Sequence, residues 1–266
     1  MDLYTNYLLI IEAIQNLEGV LAIGKSGGEK IPARNESDID VFVFCNHVPD
    51  AATRRDALAY SGANVEDIKV SGTRGAYWGF CDFISACGAD ICLMYFTVSD
   101  MDKEIESVLN GYRLDREKEY FYPTGRCASF LSMYILYDKT GYIAGVKAKL
   151  SVYPRSLSYK QYFHHSRKIN DIEDFDRAVR RKDVLFYHAT LENALDHYLQ
   201  ALFALNKRFF PGRKRTLNLV ECFELIPMEF SARILKVVRL GAAPDTLEES
   251  YGIWKGLCEE LVKFDI

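Results

Sequence analysis

Apolar and polar positions follow two different rhythms along the 266 residues, and the change of rhythm divides the chain. Near the start, Tyr7, Ile10, Ile11, Ile14 and Leu17 recur at helical spacing. They predict an amphipathic helix that ends at Gly19, with Glu12 and Gln15 toward water. Short apolar runs of strand length follow at 20–23 and 41–44. Residues 56–60 read as part of a second short helix and 65–70 as a strand. An aromatic stretch over 76–85 turns at Ala86-Cys87-Gly88, which lets it pair as a hairpin with the apolar run 90–96. Thr97-Val98-Ser99-Asp100 then supplies capping residues for a helix reaching Leu109. Residues 116–122 and 124–136 form the next segment, closed by a turn over 136–141. From Ser156 onward the spacing is helical, over 174–207, 217–223, 230–240 and 247–264. Leu185, Leu191, Leu195, Leu199 and Leu202 make 183–203 the expected spine of a helical bundle. The pattern predicts an α+β chain. A mixed β-sheet with helices occupies 1–153, an all-α bundle occupies 154–266, and Pro154 marks the boundary.

Asp38 and Asp40 break the apolar pattern at the mouth of the second strand. Successive strand residues point to opposite faces, so the two carboxylates share one face while Ile39, Val41 and Val43 share the other. Like charges this close repel, and a divalent cation held between them is the usual remedy. The loop before them is rich in Gly, Ser, Pro and Asn, which suits a site for magnesium and a nucleoside triphosphate. A further carboxylate, Asp90, heads the later apolar run. Asp82, inside the hairpin, is either a fourth acid near such a metal or, more plainly, a solvent-facing strand residue. Residues 19–26 also satisfy the spacing G-x-x-x-x-G-K-S of a phosphate loop. Their variable positions read as strand, however, and the following Gly27-Gly28-Glu29-Lys30-Ile31-Pro32 cannot begin a helix, so this reading is rejected.

An apolar strand, the turn Gly24-Lys25-Ser26, a spacer, Ser37-Asp38-Ile39-Asp40-Val41 and a later Asp90 strand occur in that order. This order resembles the nucleotidyltransferase superfamily that includes DNA polymerase beta and the aminoglycoside nucleotidyltransferases. Lys25 departs from the pattern by splitting its Gly-Ser pair. The resemblance implies that Asp38, Asp40 and Asp90 are catalytic and bind two Mg²⁺ ions, with Asp90 as metal ligand or general base. It implies that Gly24, Lys25, Ser26 and Ser37 bind the nucleotide. The expected reaction is ATP-type nucleotidyl transfer: an NMP moves from an NTP to a hydroxyl of a small-molecule acceptor, such as an aminoglycoside-like antibiotic, and pyrophosphate leaves. In architecture the resemblance covers nearly the whole chain, although its diagnostic motifs lie in the first 100 residues. Two alternatives stand beside it. One is a non-catalytic nucleotide-binding or antitoxin-like interaction protein whose helical half makes a homodimer or partner interface; the other is transfer to a protein hydroxyl.

Composition narrows the partners. With 33 Lys and Arg against 37 Asp and Glu, the net charge of −4 argues against broad binding to nucleic acid or anionic membranes. Seven cysteines without a C-x-x-C pair, together with no basic leader, predict a reducing, cytoplasmic setting. The longest apolar stretch, 130–137, is far short of the ~20 residues that a membrane span requires. Lys147, Lys149 and Arg155 could offset phosphate charge, and a solvated helix face explains them equally well. The basic cluster over 207–215 follows a helix C-terminus, where Lys and Arg favour the helix dipole, and is read as structural. The five histidines include His164, His165, His188 and His197, and no ligands match them at metal spacing.

Overall fold

In the computed structural model, which describes residues 1–31 and 38–265, the first periodic stretch is helix α1 (Leu3–Gln15). Asp2 caps it by accepting from the Thr5 N–H at 2.8 Å, and Tyr7, Ile10, Ile11 and Ile14 form its buried stripe. Then follow β1 (Val20–Lys25), β2 (Ile39–Cys45), α2 (Ala51–Ala59), β3 (Asp67–Val70), β4 (Phe80–Ala86), β5 (Ala89–Thr97) and α3 (Val98–Leu109). After α3 come α4 (Pro123–Ser132), β6 (Tyr134–Asp138) and α5 (Tyr142–Leu150).

Among the described residues six strands form one mixed sheet in the order β3-β4-β5-β2-β1-β6, in which only the β2–β5 pair is parallel. Strands β1, β2 and β5, which carry the motif residues, are adjacent. Cys87 and Gly88, both at positive φ, make the tight β4–β5 turn at the predicted place. Helix α1 stops at Gln15, short of the expected Gly19, and two further elements differ from the sequence reading. Helix α2 begins earlier, because the Asp50 carboxylate accepts from the Ala52 and Thr53 amides. Residues 134–138 are a strand, since β6 pairs along the outer edge of β1.

One face of the sheet, with Val41, Val43, Ile91, Leu93 and Tyr95, is buried with Tyr7, Ile10 and Ile14 of α1 and Leu58 of α2. On the other face Phe42, Phe44 and Phe96 stack on one another and, with Phe44 in contact with Phe130 and Tyr142, are covered by α4 and α5.

The chain divides into two compact units, Met1–Glu106 with Arg126–Val152, and Ser107–Gly125 with Tyr153–Ile266. Residues 107–125, placed by the sequence in the first half, group with the C-terminal helices. The second unit contains α6 (Arg155–Ser166), α7 (Ile172–Arg181), α8 (Val184–Leu205), α9 (Thr216–Val220), α10 (Phe230–Leu240) and α11 (Leu247–Leu261). Among the described residues every helix or strand after β6 is a helix. Its core includes Phe175, Tyr198, Leu202, Trp254 and Leu257. The second half of α8 is buried on all sides, from Tyr198 to Leu205, whereas Leu185 of the expected spine is 83% exposed at the helix start. Among the described residues no helix is long and apolar enough to cross a membrane, and all seven cysteines are free thiols.

Candidate active site on the open end of the sheet

Strand pairing brings the sequence-distant acids onto one surface. The parallel register sets Ile39 beside Ile91 and Asp40 beside Cys92. Both isoleucines are buried, so by alternation Asp38 and Asp40 face the opposite way, on the same side as Asp90 and Cys92. All three carboxylate residues are exposed. The antiparallel partners extend this surface: Ser85 lies opposite Asp90 and Phe83 opposite Cys92, then Asp67 opposite Ser85 and Lys69 opposite Phe83. The Ser85 hydroxyl donates to Asp90 Oδ1 at 2.7 Å, which orients that carboxylate. Asp38, Asp90, Ser85, Cys92, Phe83 and Lys69 line a depression of about 260 Å³. Its negative field reaches the Cys92 thiol, whose pKa is raised by the hydrogen bond to Cys81, by burial, and then by the charges of Cys81, Asp40 and Asp38.

Asp82 is neither a fourth acid of this surface nor a solvent-facing residue. It pairs with Leu93, which puts it on the buried face, and it is fully buried. Arg54 Nη1 lies 3.1 Å from its Oδ1, and the Ser71 amide donates to the same oxygen at 3.2 Å. Burial pushes Asp82 up to about 6, against the opposing pull of Arg54. Its strand run carries no signal for this, because the partner comes from α2.

Residues 20–25 are strand and the described residues 26–31 contain no helix, which removes the phosphate-loop reading on structural grounds. Gly24 is buried opposite Phe42, and a Cβ there would lie 2.2 Å from Met133 Sδ, so close packing explains the glycine. Lys25 pairs with Val41, on the face opposite the acids, and is 3% exposed. Its Nζ donates to the carbonyls of Lys30 (3.0 Å) and Ser26 (3.2 Å), and burial lowers its pKa. The Ser26 amide donates to Asp40 O at 2.9 Å, which seats Ser26 beside the second acid. Ser37 lies outside the described residues.

The basic candidates have protein partners. Lys147 donates to Met133 O at 2.7 Å, Lys149 pairs with Glu106, and Arg155 donates to the Tyr159 hydroxyl. From the basic cluster, Arg213 pairs with Asp196 at 3.2 Å and Glu192 at 3.0 Å. A cation that sequence reasoning missed is Arg126, in the first turn of α4. Its buried guanidinium lies over Phe96 (4.8 Å) and Phe42 (5.3 Å), on the same sheet face as the acids, and donates to Tyr77 O at 2.5 Å. A lone arginine in a helical stretch gives no sequence signal of this kind. Phe83, 53% exposed in mid-strand, and Lys69 were likewise not singled out.

Residues 122–215 match a family described as a domain of unknown function, DUF4037. That segment contains none of the three acids. No curated protein matches. Eight chains of solved structures match, among them the crystal structure of a nucleotidyltransferase-like protein from Exiguobacterium sibiricum 255-15. That chain is 11% identical, with 98% of this chain and 72% of that one covered and a TM-score of 0.44.

Proposed function

We propose that the protein is a magnesium-dependent nucleotidyltransferase that moves an NMP from an NTP to a hydroxyl of a small-molecule acceptor and releases pyrophosphate. One observation carries this reading: Asp38 and Asp40 at the mouth of β2 share the exposed end of one sheet face with Asp90 near the head of its parallel neighbour β5. Three exposed carboxylates and a serine hydroxyl are hard oxygen donors, a set that fits magnesium and does not suit a soft metal. In this reading Asp38, Asp40 and Asp90 hold the metal. Bound there, magnesium would neutralise triphosphate charge and favour ionisation of the attacking hydroxyl.

The chain's own groups do the rest. Ser85 fixes the Asp90 carboxylate, so that Asp90 either completes the metal site or accepts the acceptor's proton. Ser26, whose amide is engaged by Asp40 O, offers its hydroxyl to phosphate, and Gly24 lets the turn lie close under Met133. Lys25 acts through the loop that its ammonium ties to Lys30 O. The depression beside Asp38 and Asp90 is where the acceptor docks.

The test is incubation with each labelled NTP, Mg²⁺ and a panel of hydroxyl acceptors, reading pyrophosphate release and labelled product. Release that requires magnesium and falls by orders of magnitude in Asp40→Asn is the expected result. Label on the protein itself would instead assign transfer to a protein hydroxyl. Turnover unchanged in Asp40→Asn, or no turnover with any nucleotide, would overturn the reading.

A further inference from the structure

The second unit holds a different cluster of ligating groups. Asp115, in the segment after α3, meets His164 and His165 from the end of α6, and one ligand atom of each lies within 4.8 Å of the others. His164 Nε2 is 2.7 Å from Asp115 Oδ1. Lys168, one turn on, places Nζ 3.0 Å from the same Nε2 and 3.3 Å from the same Oδ1. His165 is fully buried, and its Nε2 faces two acceptors, Leu114 O at 3.0 Å and Gln161 Oε1 at 2.9 Å. Nε2 therefore carries the proton, and the lone pair is on Nδ1, 2.8 Å from His197 Nδ1.

These contacts do not close as a hydrogen-bond network. If His164 Nε2 carries a proton for Asp115, it opposes the Lys168 ammonium at 3.0 Å. If it carries a lone pair for Lys168, that lone pair opposes the Asp115 carboxylate at 2.7 Å. In either case one contact sets like polarity against like, and a dication in place of the ammonium removes the conflict. His165 already has the arrangement of a metal-ligating imidazole, with its other N–H anchored on a backbone carbonyl and a side-chain amide.

We propose that Asp115, His164 and His165 form a binding site for a zinc-like transition-metal dication, distinct from the carboxylate row on the sheet. Two imidazoles and one carboxylate favour such an ion over magnesium. Lys168 (43% exposed) swings out to water and the His197 N–H is displaced from His165 as the ion enters. The ion ties the segment around Asp115 to α6 within the second unit. The separation of 49 positions between Asp115 and His164 explains why ligand spacing in the sequence is silent.

The experiment uses untagged, chelator-stripped protein titrated with Co²⁺ as a spectroscopic stand-in, followed by displacement with Zn²⁺. One equivalent should give a visible d–d band without sulfur-to-cobalt charge transfer. Asp115→Asn, at an exposed position, and His164→Asn, at a half-buried one, should weaken binding by at least ~10-fold without shifting the metal-free melting temperature appreciably. Lys168→Met should tighten it several-fold, because a competing cation is gone. Charge-transfer absorption would assign the ion to the free cysteines, and a band that survives both ligand substitutions would place it elsewhere. Either outcome, or no band at all, overturns the proposal.

Discussion

Asp82 and Asp90 sit on neighbouring strands of one sheet, and the faces they occupy treat a carboxylate in opposite ways. On the closed face Asp82 is buried, held by Arg54 and the Ser71 amide, and raised by desolvation. On the opposite face, at the end that α4 and α5 leave uncovered, Asp90 is exposed, oriented by Ser85, and aligned with Asp38 and Asp40. The first arrangement joins α2 to the sheet. The second gathers like charge at the surface, where it adds little to folding and, in the proposed reading, serves a cationic ligand. Strand parity separates the two, since Asp82 pairs with Leu93 and Asp90 with Ser85.

The largest effect on stability should come from separating the buried pair. Arg54→Met leaves the Asp82 carboxylate buried beside no guanidinium and should cost about 3–5 kcal/mol in denaturant unfolding. Adding Asp82→Leu should recover most of that loss, because the uncompensated charge is then gone. A double variant as unstable as the single one would show that Arg54 acts through its packing over Tyr95 and Phe80 instead.

A pH series reads the same face with a smaller effect, on the order of 1–3 kcal/mol. The folded pKa of Asp82 is raised from 3.8 to about 6, so the folded state binds the proton more tightly than the unfolded chain. Its contribution is fully present below the unfolded value and is lost as pH rises through about 6. Between pH 4 and 6 the wild type should therefore lose stability relative to Asp82→Asn. Parallel stability curves would remove Asp82 from the account.

The exposed acid end of the sheet should give the smallest stability change. Asp40→Asn and Asp90→Asn should each unfold within ~0.5 kcal/mol of wild type, although Asp40→Asn is the variant expected to abolish turnover. A large destabilisation by either would mean that these carboxylates are structural, and the contrast between the faces would fail.

Much of this organisation is written locally in the chain. The 3.6-residue repeat of Tyr7, Ile10 and Ile14, the strand-length runs of β1, β2 and β5, the β4–β5 turn and the helices after Ser156 all follow from near-neighbour backbone geometry. So does the shared face of Asp38 and Asp40, because a strand alternates every residue. What lay beyond the sequence depends on which distant segments meet. The β2–β5 register, which sets Asp90 on the acid face, is decided by burying Ile39, Val41, Ile91 and Leu93 together. The edge pairing of β6, the turning of Lys25 to the closed face and the Arg54–Asp82 pair are likewise settled between segments. The same is true of Asp115 meeting His164 and His165. Periodicity is a property of a few consecutive residues; register and partnership are fixed by burial and charge compensation across the whole fold, which no local spacing encodes.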